Sequence, residues 1–343
     1  MNRRAANLLD GFMGLASRGL WSFSPPHPNT LDELAVYRDK SQEELFPAPP
    51  PQLPEVTIEK RWGLGGLLCE DLCFESVHRP IAPYFRQRHA SEYQANHWVY
   101  ARWMRHVGGR RRPTMIYLHG WTQFEPWLEE MTLMPAIARA LDVDVVHMQL
   151  PYHGYRKPKK SRFHGEYFWT ADLVRTFEAV RQSVLDARSL LGWLVDQGHG
   201  PVGYAGVSLG GALALCLACV EPRAAFSIPI VAHLDLPGAL EEAPILYRMR
   251  KELREYGWGP REVADFFQAV GWYDMTPVIS KERILMIAGK YDRFLTPERT
   301  TELWKLWGEP PIHWFEGGHT AIVGYIFRSI AVMKRFIDGL DLR

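Results

Sequence analysis

Apolar positions change their spacing several times along the chain, and each change marks an element. "EVTIEKRW" and "LLCEDLCFESV" read as strands, and "ANHWVYARWM" adds more β-forming residues before the basic turn "RHVGGRRRP". Two short apolar runs follow, "TMIYLHG" at 114–120 and "VDVVHMQLP" at 143–151, with the helical stretch "MPAIARAL" between them. Leu173, Phe177, Val180, Val184, Ala187, Leu191 and Leu194 then step by threes and fours, which keeps one face of a long helix apolar. Strand "VGYAGVS", helix "LGGALALCLACVEP", strand "AAFSIPIVA" and the later strands "RILMIAG" and "PIHWFEGGH" continue the rhythm. Ile322, Ile326, Ile330, Met333 and Ile337 mark a closing helix.

Buried strands alternating with helices predict an α/β fold: a mostly parallel central sheet with helices on both faces. One stretch breaks the alternation. "LYRMRKELREYG" and "PREVADFFQAVGWYD" are both helical in pattern with no strand between them, which predicts a small helical cap over the C-terminal edge of the sheet, where ligands of such sheets bind. The expected organisation is an N-terminal helix and proline-rich arm at 1–54, a core at 55–236 plus 281–343, and the cap insertion at 237–280. The arm is read from "SFSPPHPNT" and "FPAPPPQLP", which favour extended backbone.

Composition narrows the function. The 343 residues carry 40 Lys+Arg against 39 Asp+Glu, so no net charge draws the chain to nucleic acid, and none is expected as a partner. Cys69/Cys73 and Cys216/Cys219 would have to join across the chain to hold zinc. The second pair sits among Leu and Ala, where thiols act as small hydrophobes, so no metal is expected. Nothing argues for a disulfide framework, and a cytoplasmic location follows as the expectation. The longest strongly apolar stretch, "ALALCLACV" at 212–220, is far short of the ~18–20 residues of a membrane span. Asp10, Ser17 and Arg18 interrupt the N-terminal apolar residues, so no signal peptide is read. Leu8, Leu9, Phe12, Leu15 and Leu20 leave two readings open, a helix lying on a membrane and a helix packed on the domain. Oligomeric state is not legible.

The chemistry concentrates at Gly206-Val207-Ser208-Leu209-Gly210, a G-x-S-x-G pattern set between a strand and a helix. A serine placed there occupies a sharp turn that lifts its hydroxyl above the sheet, and side chains two residues away would collide. Serine alone is a weak nucleophile and needs a base oriented by a third group. Asp292 in "IAGKYDRFLTPE" and His319 in "HWFEGGHT" follow later strands in the order Ser, Asp, His, so all three are expected at one sheet edge. His319 would take the serine proton and Asp292 would fix its tautomer. Asp235 in "VAHLDLPG" is a rival acid, and plain loop residues are the alternative for Asp292 and His319. Oxyanion stabilisation needs preset donors. The backbone N–H groups of Leu209 and Trp121 are the candidates, with His119 organising the second loop.

From about residue 95 to its end the chain resembles the α/β-hydrolase fold family at His119-Gly120, Gly206 to Gly210, Asp292 and His319. "LPYHGYRKPK" is similar to that family's P-x-H-G turn, and with the G-x-S-L-G-G elbow it resembles one branch of α/β-hydrolase-domain proteins. The HGGG run of some lipases and esterases is missing, and serine replaces the nucleophilic Asp of haloalkane dehalogenases. The resemblance implies hydrolysis of an acyl bond, commonly a carboxylic ester, and no cofactor is expected.

Substrate contacts are expected from His119, Gly120 and Trp127, in a cleft flanked by Trp121, Phe124, Trp258, Phe266, Phe267, Trp272 and Tyr273. An apolar small-molecule ester would suit that cleft, unless the aromatics only join cap to core. "YRKPKK" at 155–160 is either a site for an anion or lipid headgroup, or a solvated loop. Acyl transfer or peptide cleavage could run on the same three residues, and a non-catalytic binding protein is the reading from a different class.

Overall fold

A computed structural model describes residues 1–22, 24–50, 55–108, 110–123, 125–272 and 274–342. Strands β1 (Thr57–Leu64), β2 (Leu67–Glu75) and β3 (Trp98–His106) form an antiparallel meander. The meander leads through an antiparallel β3–β5 pair into β4 (Thr114–Leu118), β5 (Asp144–Met148), β6 (Val202–Val207), β7 (Ser227–Ile230), β8 (Met286–Gly289) and β9 (Ile312–Phe315), whose mutual pairings are all parallel. The nine strands make one sheet in the order β1-β2-β3-β5-β4-β6-β7-β8-β9.

Helices α1 (Arg3–Trp21), α2 (Gln42–Leu45), α3 (Pro83–Glu92), α4 (Pro126–Met131) and α5 (Leu133–Leu141) precede the long α6 (Leu173–Asp196). Then α7 (Leu209–Val220) leaves β6, and α8 (Leu236–Glu242), α9 (Tyr247–Glu255) and α10 (Pro260–Ala269) fill the gap between β7 and β8 without a strand. Helices α11 (Pro297–Leu306) and α12 (Ile322–Gly339) complete the alternation. Strands β4 to β7 read as unbroken apolar runs because both sheet faces are covered. Ile116 and Leu118 of β4 join a core with α6 and α7, while Met115 and Tyr117 join a second core with α5 and α12.

The long helix α6 departs from the expected one-sided pattern. Its apolar face packs as predicted, but Arg175, Glu178, Arg181, Asp186 and Arg188 are buried too. The proline-rich arm covers three of them: Tyr37 Oη donates to Glu178 (2.5 Å), and Arg181 and Arg188 donate to the carbonyls of Leu45 (2.8 Å) and Phe46 (2.6 Å). Side-chain spacing within α6 cannot reveal a cover supplied by residues more than a hundred positions away. In the 155–160 loop Lys159 and Lys160 are exposed, but one of its cations turns inward. Arg156 is wholly buried and paired with Asp186 at 2.8 Å, so it offers nothing to an external anion.

Helix α1 packs on the domain through Ala6, Asp10, Ser17 and Trp21, all buried. Its apolar residues Leu8, Phe12 and Leu15 are 74%, 66% and 64% exposed, so it turns its polar Asp10 inward and its leucines outward. Among the described residues no helix is long and apolar enough to cross a membrane. Cys216 and Cys219 are buried in α7, where burial raises both thiols above their ordinary range.

Candidate active site

Ser208 follows β6 directly and stands at φ 54°, ψ −113°, a backbone combination that side-chain-bearing residues rarely adopt and that costs on the order of 1–3 kcal/mol. Two hydrogen bonds fix it: Ser208 N–H donates to Ile230 (2.9 Å) and its carbonyl accepts from Ala212 N–H (2.9 Å). The glycines are explained by distance. A Cβ on Gly206 would lie 2.3 Å from the backbone of Gly210, and one on Gly210 would lie 1.9 Å from the Leu118 carbonyl at the end of β4. Only bare backbone lets α7 begin this close to the sheet.

Two loops at the C-terminal edge of the sheet deliver the rest. Asp292 follows β8 and His319 follows β9. Ser208 Oγ donates to His319 Nε2 at 2.8 Å, and His319 Nδ1 donates to Asp292 Oδ2 at 2.9 Å. The other oxygen of Asp292 accepts from the backbone N–H groups of Phe294 (2.8 Å) and Leu295 (2.9 Å), which fixes the carboxylate beside the imidazole. Phe294 stacks on the His319 ring with centroids 4.7 Å apart. Asp235, the rival acid, instead caps α8 at Gly238 N–H (2.9 Å) and pairs with Arg299.

Burial of His319 opposes its charge, but Asp292 and, further off, Asp10 outweigh it and raise its pKa above the ordinary imidazole value. A base must be neutral to accept a proton. The acid limb of any reaction that uses it therefore has its midpoint above ~6.5.

The hydroxyl of Ser208 opens into a cavity of about 560 Å³. Gly120, Trp121 and Leu209 line it beside Ser208, and Leu234, Leu236, Leu246 and Trp272, all between β7 and β8, also line it. Leu209 is the first residue of α7, so its N–H belongs to the unpaired donors of a helix start. Trp121 is anchored by its indole N–H to the Gly165 carbonyl (2.8 Å) and by an edge-tilted contact with Trp21 at 5.6 Å.

Two expected substrate contacts are corrected. His119 is fully buried behind the cavity wall, with Nδ1 donating to the Gly120 carbonyl (2.9 Å) and Nε2 accepting from Leu150 N–H (3.1 Å). Burial and the neighbouring His147 push it down to about 4, so it is a neutral brace for the loop. Trp127 is 57% exposed on α4 and its ring lies off the cavity wall, which Leu128 supplies instead. The cap aromatics divide similarly. Trp272 lines the cavity, whereas Phe266 and Phe267 pack on Phe177 of α6 at 5.8 and 6.4 Å and join α10 to α6. Phe124 and Tyr273 lie outside the described residues.

Asp10 is the site residue that sequence reasoning passed over, because it reads as a break in an apolar stretch. It is wholly buried, and its carboxylate accepts from the backbone N–H groups of Arg293 (3.2 Å), His319 (3.1 Å) and Thr320 (2.9 Å). The N-terminal helix thus ties together the loops that carry Asp292 and His319. The one available signal was a single acid on a helix whose other charges are all basic. Asp10→Asn should shift the acid limb of kcat/KM to lower pH, since a negative charge near His319 is lost, and lower kcat about tenfold with little change in KM. A limb at the wild-type pH would show that Asp10 only supports the fold.

The sheet order, the elbow after β6 and the two loops after β8 and β9 define an α/β-hydrolase fold. Residues 18–237 match the family model described as "Alpha/beta hydrolase domain containing 18", and the chain belongs to that family. Two uncharacterized proteins of Mycobacterium tuberculosis, from strains CDC 1551 / Oshkosh and ATCC 25618 / H37Rv, are 30% identical over 308 residues, covering 86% of this chain and 68% of theirs. Among solved structures, the acetyl xylan esterase from Paenibacillus sp. R4 overlays with a TM-score of 0.59 at 13% identity, over 92% of this chain and 100% of that one. Acetyl xylan esterase 1 from Thermoanaerobacterium sp. JW/SL YS485 gives 0.54 at 16% identity, over 93% and 98%. At such identities the likeness speaks to the fold.

Proposed function

We propose that the protein is a serine hydrolase that cleaves a carboxylic ester through an acyl-enzyme. Ser208 is the nucleophile, His319 the base and Asp292 the acid that orients it. The observation that carries this reading is the unbroken pair of hydrogen bonds, 2.8 Å from Ser208 to His319 and 2.9 Å from His319 to Asp292, opening into an apolar cavity.

In the first step Ser208 Oγ attacks the ester carbonyl while its proton passes to His319 Nε2. The negative charge on the carbonyl oxygen is met by the N–H groups of Leu209 and Trp121. His319 then gives that proton to the departing alcohol, which leaves Ser208 acylated. In the second step water gives a proton to His319 and attacks the acyl carbon; the bond to Ser208 Oγ then breaks, His319 returns the proton to that oxygen, and the acid leaves. Asp292 stays ionised throughout and steadies the imidazolium.

The test is turnover of p-nitrophenyl esters from acetate upward in chain length. Steady release of p-nitrophenol by the folded protein, increasing along a sigmoidal acid limb above pH ~6.5, is the expected result. No release from any chain length by a protein that melts cooperatively would overturn the reading.

A further inference from the structure

The cavity wall changes character beside α4. Elsewhere it is mainly Leu, Ala, Ile and aromatic carbon, but here Tyr117, Gln123 and Glu129 line it together. Tyr117 is only 1% exposed, and its hydroxyl has no hydrogen-bond partner; the amide oxygen of Gln123 is also buried without one. Buried polar groups are normally paired, so two orphans on residues that line one cavity point to a partner that reaches them from it.

Glu129 is fixed from behind. Its Oε2 accepts from Gln123 Nε2 (2.5 Å) and lies 3.4 Å from His147 Nε2, while His147 Nδ1 is 3.1 Å from Glu130. Glu130 pairs with Arg102, which also holds Asp71 at 2.8 Å. Burial opposes a charge on His147, but the two glutamates prevail and raise it to about 9, so an imidazolium backs the wall at neutral pH. Burial also works against the charge on Glu129, yet His147 holds this carboxyl below its usual range. Oε1 of Glu129 takes no part in these contacts, and the side chain keeps 30% of its surface accessible.

The charged carboxylates on the wall are Glu125, Glu129 and Asp235, and among the described residues no Lys or Arg lines it. An anionic substrate group would thus meet carboxylates on the wall itself, with the His147 imidazolium behind it already engaged by Glu129 and Glu130, whereas a donor would meet three acceptors. We propose that Tyr117, Gln123 and Glu129 form a subsite for a hydrogen-bond-donating group, a hydroxyl or an ammonium, on the part of the ester that fills the cavity. The inference rests on the ester-hydrolase reading. Tyr117 pairs with Ala205 across the sheet, and Ser208 stands three residues further along, so the backbone of Tyr117 is about 10 Å from that of the nucleophile in the strand direction. The substrate class is then an ester whose polar, non-anionic group sits beyond an apolar spacer.

Four p-nitrophenyl esters of equal acyl length, ending in methyl, hydroxyl, ammonium or carboxylate, test this, with p-nitrophenyl acetate as reference. The hydroxyl- and ammonium-ended esters should have the highest kcat/KM and the carboxylate the lowest. Tyr117→Phe should reduce the hydroxyl-over-methyl ratio about tenfold, and Glu129→Gln the ammonium-over-methyl ratio by a similar factor. Two variants guard against one of them failing to fold. The same four tips, presented as ethyl esters to Ser208→Ala, should raise its melting temperature in the same order without any turnover. If acetate is hydrolysed but the four esters rank by hydrophobicity with methyl first, in both assays, water alone occupies the patch and the inference fails. If nothing is hydrolysed but the melting shifts follow the predicted order, the subsite stands and the hydrolase reading is what fails.

Discussion

Ser208→Ala will lower kcat for a short p-nitrophenyl ester by roughly 10⁴- to 10⁶-fold and leave the melting temperature close to that of the wild type. The size follows from the division of labour at the site. Without the hydroxyl no acyl-enzyme forms, and only the oxyanion donors and the cavity remain to favour direct attack by water. Stability should hold because alanine keeps the Cβ and therefore the same backbone strain at φ 54°. The single interaction lost with the fold intact is the 2.8 Å bond to His319. His319→Ala should cost a similar factor, and the double variant hardly more than either single one, because the two groups act as a unit. Kinetics together with thermal melts check this. A folded Ser208→Ala protein that keeps most of its activity would place the nucleophile elsewhere.

The second large effect concerns folding. Glu178→Ala should destabilise the protein by about 3–5 kcal/mol, a large share of the ~5–15 kcal/mol that holds a domain together. Glu178 is fully buried at the meeting point of three segments. It accepts from Tyr37 Oη of the arm (2.5 Å), pairs with His78 Nε2 (2.8 Å), accepts from Ile81 N–H (2.7 Å) and pairs with Arg181 of its own helix. Alanine would strand all four partners in the interior. Burial resists the charge, but Arg181 and His78 prevail and hold the carboxyl down at about 2. Its unfolded counterpart titrates near ~4.3, so its stabilisation is complete above that pH and is lost as pH falls toward 2. Denaturant melts at neutral and acid pH should show the wild type losing this increment on acidification, with Glu178→Ala already lacking it. A neutral-pH change below about 1 kcal/mol would mean that the arm is not held by this contact.

These two residues also show what a sequence discloses. Ser208 was legible because the elbow is a local constraint: Gly206 and Gly210 are required by atoms that Cβ groups would overlap, and the flanking strand and helix carry their own periodicities. Asp292 and His319 were legible as an order of residues after strands, which the parallel sheet converts into a shared edge. Glu178 was not, since the cover over the polar side of α6 comes from an arm whose prolines gave no hint of where it lies. The same reason hid Asp10, whose three bonds reach residues 283 to 310 positions away. His119 and Trp127 were misplaced for a related reason. Adjacency to the oxyanion loop in sequence does not settle which side chains turn into the cavity, and β4 sends His119 behind the wall while α4 sends Trp127 outward.

The direct test is reaction of the intact protein with a fluorophosphonate, which reacts selectively with an activated serine, followed by mass mapping of the adduct. The hydrogen-bonded array predicts one covalent phosphonyl group per chain, on Ser208, that disappears in His319→Ala. A folded protein that stays unlabelled while a control hydrolase reacts, or an adduct on any other residue, would contradict it.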